Sequence, residues 1–279
     1  MLTVTTIASG SSGNAALVSC GNTHILLDAG VSARRITTGM KTLGVDPGRL
    51  AAVLVTHEHL DHISGLAVLT KKLRVPLVSS GPTCRQLCYK VPFVEDLVRQ
   101  QEPGTGVQIG SLWVESFSTP HDAAGSVGYS IAGDSGRMVL ATDLGYVTDE
   151  VKDAAAGCDL LLCEANHDED WVRSGPYPYY LKQRILGDRG HLCNEAGAEL
   201  AAFAVETGTK AVVLAHLSSE NNTPARAYGV VERRLTAMGA EVGRDVDLAV
   251  APRSELGATY CVERGNVFRS GTGKGAVLC

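Results

Sequence analysis

Aromatic residues are scarce: Phe, Trp and Tyr together make up 5% of the 279 residues. That argues against a protein built around platforms of stacked bases. An excess of positive charge is also missing, since Lys plus Arg is 25 against 30 for Asp plus Glu, a formal net charge of -5. Proteins that coat nucleic acid by bulk charge are basic, so any such contact here must use a local patch. No run of about 18 apolar residues occurs, so no membrane-spanning helix is expected. A charged segment followed by an apolar one is absent from the N-terminus, so no secretory leader is expected and the expected compartment is the cytoplasm. The eight cysteines, at 20, 84, 88, 158, 163, 193, 261 and 279, include no C-x-x-C pair. Cys84 and Cys88 could share a helix face, but two thiols do not make a zinc site, and reduced, mostly buried thiols are expected.

What is present is the composition of a folded enzyme-sized chain. Hydrophobic residues are 44% and charged residues 20%, which excludes intrinsic disorder. There is no repeat or long linker, and a single domain over residues 1–279 is expected. Short apolar runs bounded by Gly and Asn read as strands at Leu2–Ile7, Ala15–Ser19, His24–Asp28 and Ala51–Val55, and later at Val107–Ile109, Leu112–Phe117, Val127–Ile131 and Met138–Ala141. Helix patterns cover Val31–Leu43, Gly65–Lys72, Thr148–Ala156, Asn194–Glu206 and Pro224–Met238, with Thr148, Asn194 and Thr223 as caps. Apolar strands at Leu160–Cys163, Ala211–Leu214, Leu248–Ala251 and Thr259–Val262 complete the order. This order fits two packed sheets with helices outside better than one parallel sheet.

The densest chemical signal is Thr56-His57-Glu58-His59-Leu60-Asp61-His62, directly after a buried strand. Three imidazoles and a carboxylate within six residues form a ligand set suited to Zn, Mn or Fe. The spacing is not helical, so a tight loop would aim some of these side chains at one ion and the rest at a second. Single polar residues then close other expected strands: Asp28, His121, Asp143 and His216. Each alone is a cap or a surface side chain. Together with the first loop they supply the six or seven ligands that a two-metal site needs.

The chain here resembles the metallo-β-lactamase fold superfamily, through His57-x-His59-x-Asp61-His62 and the later His121, Asp143 and His216. A narrower resemblance is to the YycJ/WalJ-like branch, in Ser9-Gly10-Ser11-Ser12-Gly13-Asn14, Thr119-Pro120-His121-Asp122-Ala123, Thr142-Asp143-Leu144-Gly145, Gly190-His191-Leu192-Cys193-Asn194 and His216-Leu217-Ser218-Ser219-Glu220-Asn221-Asn222. Ser126 and Cys193 depart from that branch's pattern, and neither removes a ligand. The resemblance implies an αββα sandwich of two mixed sheets with outer helices. It implies His57, His59 and His121 on one ion, Asp61, His62 and His216 on a second, Asp143 between them, and Asp28 orienting the first loop. It also implies a bridging hydroxide as nucleophile and a 5′–3′ DNA exonuclease, with DNA favoured over RNA as the partner.

Other residues are open to two readings. Ser11, Ser12 and Asn14 could cradle a phosphate through backbone N–H groups, or form a plain turn. His191 and Asn194 could touch the substrate, or cap a helix. As a group outside the ligand set, His191 is the candidate to stabilise charge on the phosphoryl oxygens or to protonate the leaving oxygen. Lys182, Arg184 and Arg189 could give this acidic protein its phosphate track. The competing functions are a thioester or cyclic-phosphodiester hydrolase on the same fold, an RNA-processing nuclease, and a non-catalytic metal scaffold.

Overall fold

A computed structural model of the chain describes residues 1–263 and 265–270. Cys279 lies outside the described residues. In chain order the first half runs β1 (Leu2–Ala8), β2 (Ala15–Cys20), β3 (Thr23–Leu27), α1 (Ala33–Thr42), β4 (Leu50–Leu54), α2 (Leu60–Ile63), α3 (Leu66–Leu73), β5 (Leu77–Ser79), α4 (Gly81–Lys90), β6 (Val98–Gln100), β7 (Gly106–Ile109), β8 (Leu112–Ser118) and β9 (Val127–Gly133). The second half runs β10 (Gly136–Ala141), α5 (Asp149–Ala155), β11 (Leu160–Glu164), α6 (Glu169–Ser174), α7 (Tyr179–Leu186), α8 (Asn194–Glu206), β12 (Ala211–Ala215), α9 (Pro224–Ala237), β13 (Asp247–Val250), β14 (Thr259–Glu263) and β15 (Asn266–Ser270).

Two mixed sheets form. One has the order β15-β14-β1-β2-β3-β4-β5-β6 and the other β13-β12-β11-β10-β9-β8-β7. Strands β3 to β6 are parallel in the first, and β10 to β13 in the second. Alternation along each parallel strand explains their apolar runs. Ile25, Leu27, Ala52 and Leu54 point between the sheets, where they meet Leu160, Leu162 and Val213. Leu26 and Val53 point outward onto Ile36, Met40 and Leu69 of the helices on that face. Leu161 and Val212 point outward onto Leu200, Val231 and Leu235 on the other. Strands buried on both faces need no polar alternation, and the layers are helix, sheet, sheet, helix. This is the architecture expected from the sequence.

Local corrections are small and have causes. Helix α8 is capped by Cys193, whose Sγ accepts from Ala196 N, and Asn194 is its first helical residue. The side chain of Asn194 is committed to Asn222 instead. Thr148 and Thr223 do cap α5 and α9. Helices α2, α4, α6 and α7 were not expected, and the short α2 carries Asp61 and His62, so the second half of the histidine-rich stretch is a helical turn rather than a loop. No residue of α7 is buried, so it carries no apolar stripe to read. Cys84 and Cys88 do share one helix, α4. Among the described residues no helix is long and apolar enough to cross a membrane.

Candidate metal centre

Parallel strands deliver side chains from their carboxyl ends, and here both sheets do so at one edge of the sandwich. Asp28 follows β3, Thr56 to His62 follow β4, Asp143 follows β10, Glu164 ends β11 and His216 follows β12. Asp28, Asp143 and His216 share a further feature: each has left-handed backbone, with φ of 57°, 61° and 57°. Non-glycine residues rarely adopt it, and Asp, Asn and His tolerate it best. The turn swings each side chain off the strand and toward the edge.

The first loop is fixed from behind. Asp28 Oδ1 accepts from Thr56 N at 2.8 Å, and Asp28 Oδ2 accepts from His62 Nδ1 at 2.8 Å. His57 Nδ1 lies 3.0 Å from Thr56 Oγ1. Asn14 N donates to Asp61 O at 2.8 Å. Gly30 lets the backbones meet, since a Cβ there would fall 1.5 Å from Asp61 O.

These restraints bring six of the eight histidines into one cluster with Asp61, Asp143 and Glu164. Donor atoms of His57, His59 and His121 lie within 4.8 Å of one another, as do those of Asp61, His62 and His216. Asp143 joins His57 and His62 in one group, and His191 and His216 in another. Burial leaves His57 Nε2 and Asp143 Oδ2 without a hydrogen-bond partner. Buried polar atoms are rarely left so, and an imidazole lone pair facing a carboxylate oxygen is the donor chemistry of a divalent cation. The residues therefore fit metal ions.

Electrostatics agree. Burial, reinforced by His62, His121 and His59, holds His57 well below the usual histidine range, so it stays a neutral donor. Burial opposes charge on His62 and His216 too, but carboxylates win there. Asp28 and Asp143 raise His62, and Asp143, Asp61 and Glu164 raise His216 to about 10. Asp61 is pulled far down, against burial, by hydrogen bonds with His216 and His62. The carboxylates thus demand positive charge at this spot.

Glu164 was missed by the sequence reading. It is fully buried. Its Oε1 accepts from His191 Nδ1 at 2.8 Å and lies 3.2 Å from His216 Nδ1. Its Oε2 accepts from Leu144 N at 2.9 Å and Leu192 N at 3.1 Å. His191 stands over the cluster, its ring 5.0 Å from that of His121 and 5.2 Å from that of His216. Asp122 was unassigned as well. Its Oδ1 is 3.4 Å from His121 Nε2, and its Oδ2 accepts from Arg184 Nε at 2.5 Å.

The loop Gly10–Asn14 is not an amide cradle. Four of its five backbone N–H groups are spent inside the protein, on Asn14 Oδ1, Leu217 O, Gly10 O and Asp61 O. Ser11 and Ser12 are exposed, and Asn14 Nδ2 sits 3.2 Å from His62 Nε2, supporting the loop. Asn194 is fully buried and cannot meet a substrate.

Residues 23–217 match the family model for the β-lactamase superfamily domain. The chain belongs to the metallo-β-lactamase superfamily. It is 38% identical over 261 residues to exodeoxyribonuclease WalJ of Streptococcus pneumoniae, covering 92% of this chain and 96% of that one. To exodeoxyribonuclease YycJ of Bacillus anthracis it is 35% identical over 245 residues, covering 87% and 92%. In fold it is similar to Bacillus subtilis YhfI, with a TM-score of 0.68 and 17% identity over 91% of this chain and 98% of that one. Zinc-bound PqqB of Methylobacterium extorquens gives the same TM-score at 19% identity, over 93% and 100%.

Proposed function

We propose that this protein is a metal-dependent exodeoxyribonuclease that digests DNA in the 5′–3′ direction. One observation carries the reading: two triads of ligand atoms, His57-His59-His121 and Asp61-His62-His216, converge around Asp143. Relatives named exodeoxyribonucleases, matching nearly the whole chain, support it. Each triad would hold one divalent ion, with Asp143 shared, and Zn, Mn and Fe all suit this donor set. When bound, such a pair supplies a polarised phosphoryl oxygen and a water acidic enough to attack near neutral pH.

The chain's own residues do the remaining work. Asp28 holds the Nδ1 proton of His62, Gly190 O holds that of His121 at 3.0 Å, and Glu164 holds that of His216. In each case a bound ion would displace any Nε2 proton and take that nitrogen's lone pair. His191 is held the same way, by Glu164, but 19% of its side chain remains exposed. Its Nε2 can take a proton from solvent and pass it to the leaving sugar oxygen, which gives His191 the role of acid in this reading.

The test is an end-labelled duplex incubated with protein and Mn or Zn, beside a thioester and a β-lactam. Stepwise shortening from the 5′ end is expected. Robust thioester turnover with no cleavage of DNA or RNA would refute the reading.

A further inference from the structure

Aromatic residues are rare in this chain, yet Trp171, Tyr177, Tyr179 and Tyr180 fall within ten positions. They lie on the excursion between β11 and α8. Trp171 is covered by Arg226, whose guanidinium sits 4.8 Å from the ring centroid. Tyr179 and Tyr180, by contrast, are 76% and 74% exposed, on a helix with no buried residue. Tyrosine rings held out in water on a short helix earn no core energy, so their exposure asks for a partner.

The surroundings say which kind. Tyr180 and Arg184 are four apart on α7 and share a face. Arg184 binds Asp122, and Asp122 reaches His59 and His121 of the metal centre. Arg189 hydrogen-bonds through Nε to His121 O at 3.1 Å, and Lys182 through Nζ to Arg173 O at 2.6 Å. Those acceptors are neutral carbonyls, and among the described residues no carboxylate pairs with Lys182 or Arg189, so both charges stay available. Segment 179–189 therefore lays exposed rings and basic groups end to end up to the metal centre.

We propose that α7 is the track for the single-stranded end of the DNA, with bases stacked on Tyr179 and Tyr180 and phosphates on Lys182 and Arg189. This rests on the exonuclease reading and specifies the form of DNA the site takes. Exposed rings followed by cations match a flexible strand, whose bases are free to stack, better than a duplex, whose bases are not.

The experiment uses Mn-loaded protein and a fluorescent phosphorothioate single strand, read by anisotropy. A stacked base contributes about 1–3 kcal/mol, so Tyr180→Ala should weaken binding about 5- to 150-fold. Tyr180→Phe should keep wild-type affinity, because stacking needs the ring and not the hydroxyl. Lys182→Gln should lower the slope of log affinity against log salt by about 0.7, one phosphate contact on a single strand. Melting temperatures should not move, given the exposure. Wild-type affinity in a Tyr179→Ala/Tyr180→Ala double variant would overturn the proposal. So would a change of oligomeric state in that variant without a change in DNA affinity, since the occupant would then be a second copy of the chain. A wild-type protein that binds no DNA at all would fail the exonuclease reading first and take this surface with it.

Discussion

Glu164→Gln is the most informative single change. The side chain keeps its shape and loses only charge and one acceptor. Glu164 divides its work cleanly: Oε2 serves two backbone donors, and Oε1 serves the Nδ1 atoms of His191 and His216. In the glutamine the carbonyl oxygen must stay with Leu144 N and Leu192 N, because two buried N–H groups cannot be abandoned. The amide NH₂ then faces both imidazoles. Each ring can accept that N–H only by moving its own proton to Nε2. For His216 this places a proton where the lone pair faces Asp61 and Asp143. A hydrogen bond to a charged acceptor is worth about 1.5–3 kcal/mol, and loss of an outer partner of a metal-bound histidine costs about 10–100-fold in affinity; the two figures agree. We therefore expect Glu164→Gln to bind the ion that Asp61, His62 and His216 would hold about 10–100-fold more weakly, measured by competition with a chromophoric chelator. Turnover at saturating metal should also fall, because His191 loses its orientation. Wild-type metal affinity and turnover in this variant would refute the assignment of Glu164 to both histidines. A lower melting temperature alone, with both unchanged, would leave Glu164 a packing residue.

Three further outcomes are expected. His191→Ala should retain both metals and its melting temperature but lose about 10²–10⁴ in single-turnover rate, the range for a positioned acid; an unchanged rate removes His191 from the chemistry. Asp143→Ala should lose metal retention and activity together, checked by elemental analysis of protein purified without chelator; wild-type turnover at matched occupancy would reduce Asp143 to a loop residue. Asp168 caps α6 through Trp171 N and pairs with Arg226 Nε at 2.5 Å, and against the effect of burial these bonds hold its carboxyl below the usual range. A depressed folded pKa adds stability at pH above the ordinary aspartate value and loses it as pH falls through the folded one. Asp168→Asn keeps the cap, so by denaturant melts it should cost about 0.5–1 kcal/mol at pH 7, a partly exposed pair, and the difference from wild type should vanish in acid.

How much of this was legible depended on where each residue sat. The first loop stands out because imidazoles are rare and there crowd together. Asp28, Asp143 and His216 were visible because each breaks an apolar run at its end. Glu164 breaks Leu160–Cys163 in the same way, and the rule that selects Asp28 selects it equally; it lacks only a neighbouring motif. Asp122 stands beside His121 and was legible only as part of that stretch. The layer order followed from the succession of strand and helix patterns along the chain and from the family resemblance. Helix α7 was illegible because it buries nothing, and periodicity records burial. Asn194 misled because its residue type suits a cap, while the true cap is the thiol one position earlier. The low overall aromatic content hid a local density, since a percentage carries no position.

The left-handed backbone at Asp28, Asp143 and His216 has a consequence for how such a chain can change over generations. Each of those turns costs roughly 1–2 kcal/mol relative to a glycine, which adopts the conformation freely. Drift that favours stability alone pushes Asp143 and His216 toward glycine, while Asp28 is kept by the buried Thr56 N–H it satisfies, and the backbone would follow the same path afterward. A descendant that had lost its chemistry would therefore keep the sandwich intact, with glycines standing at the ends of β10 and β12 and the aspartate still at the end of β3.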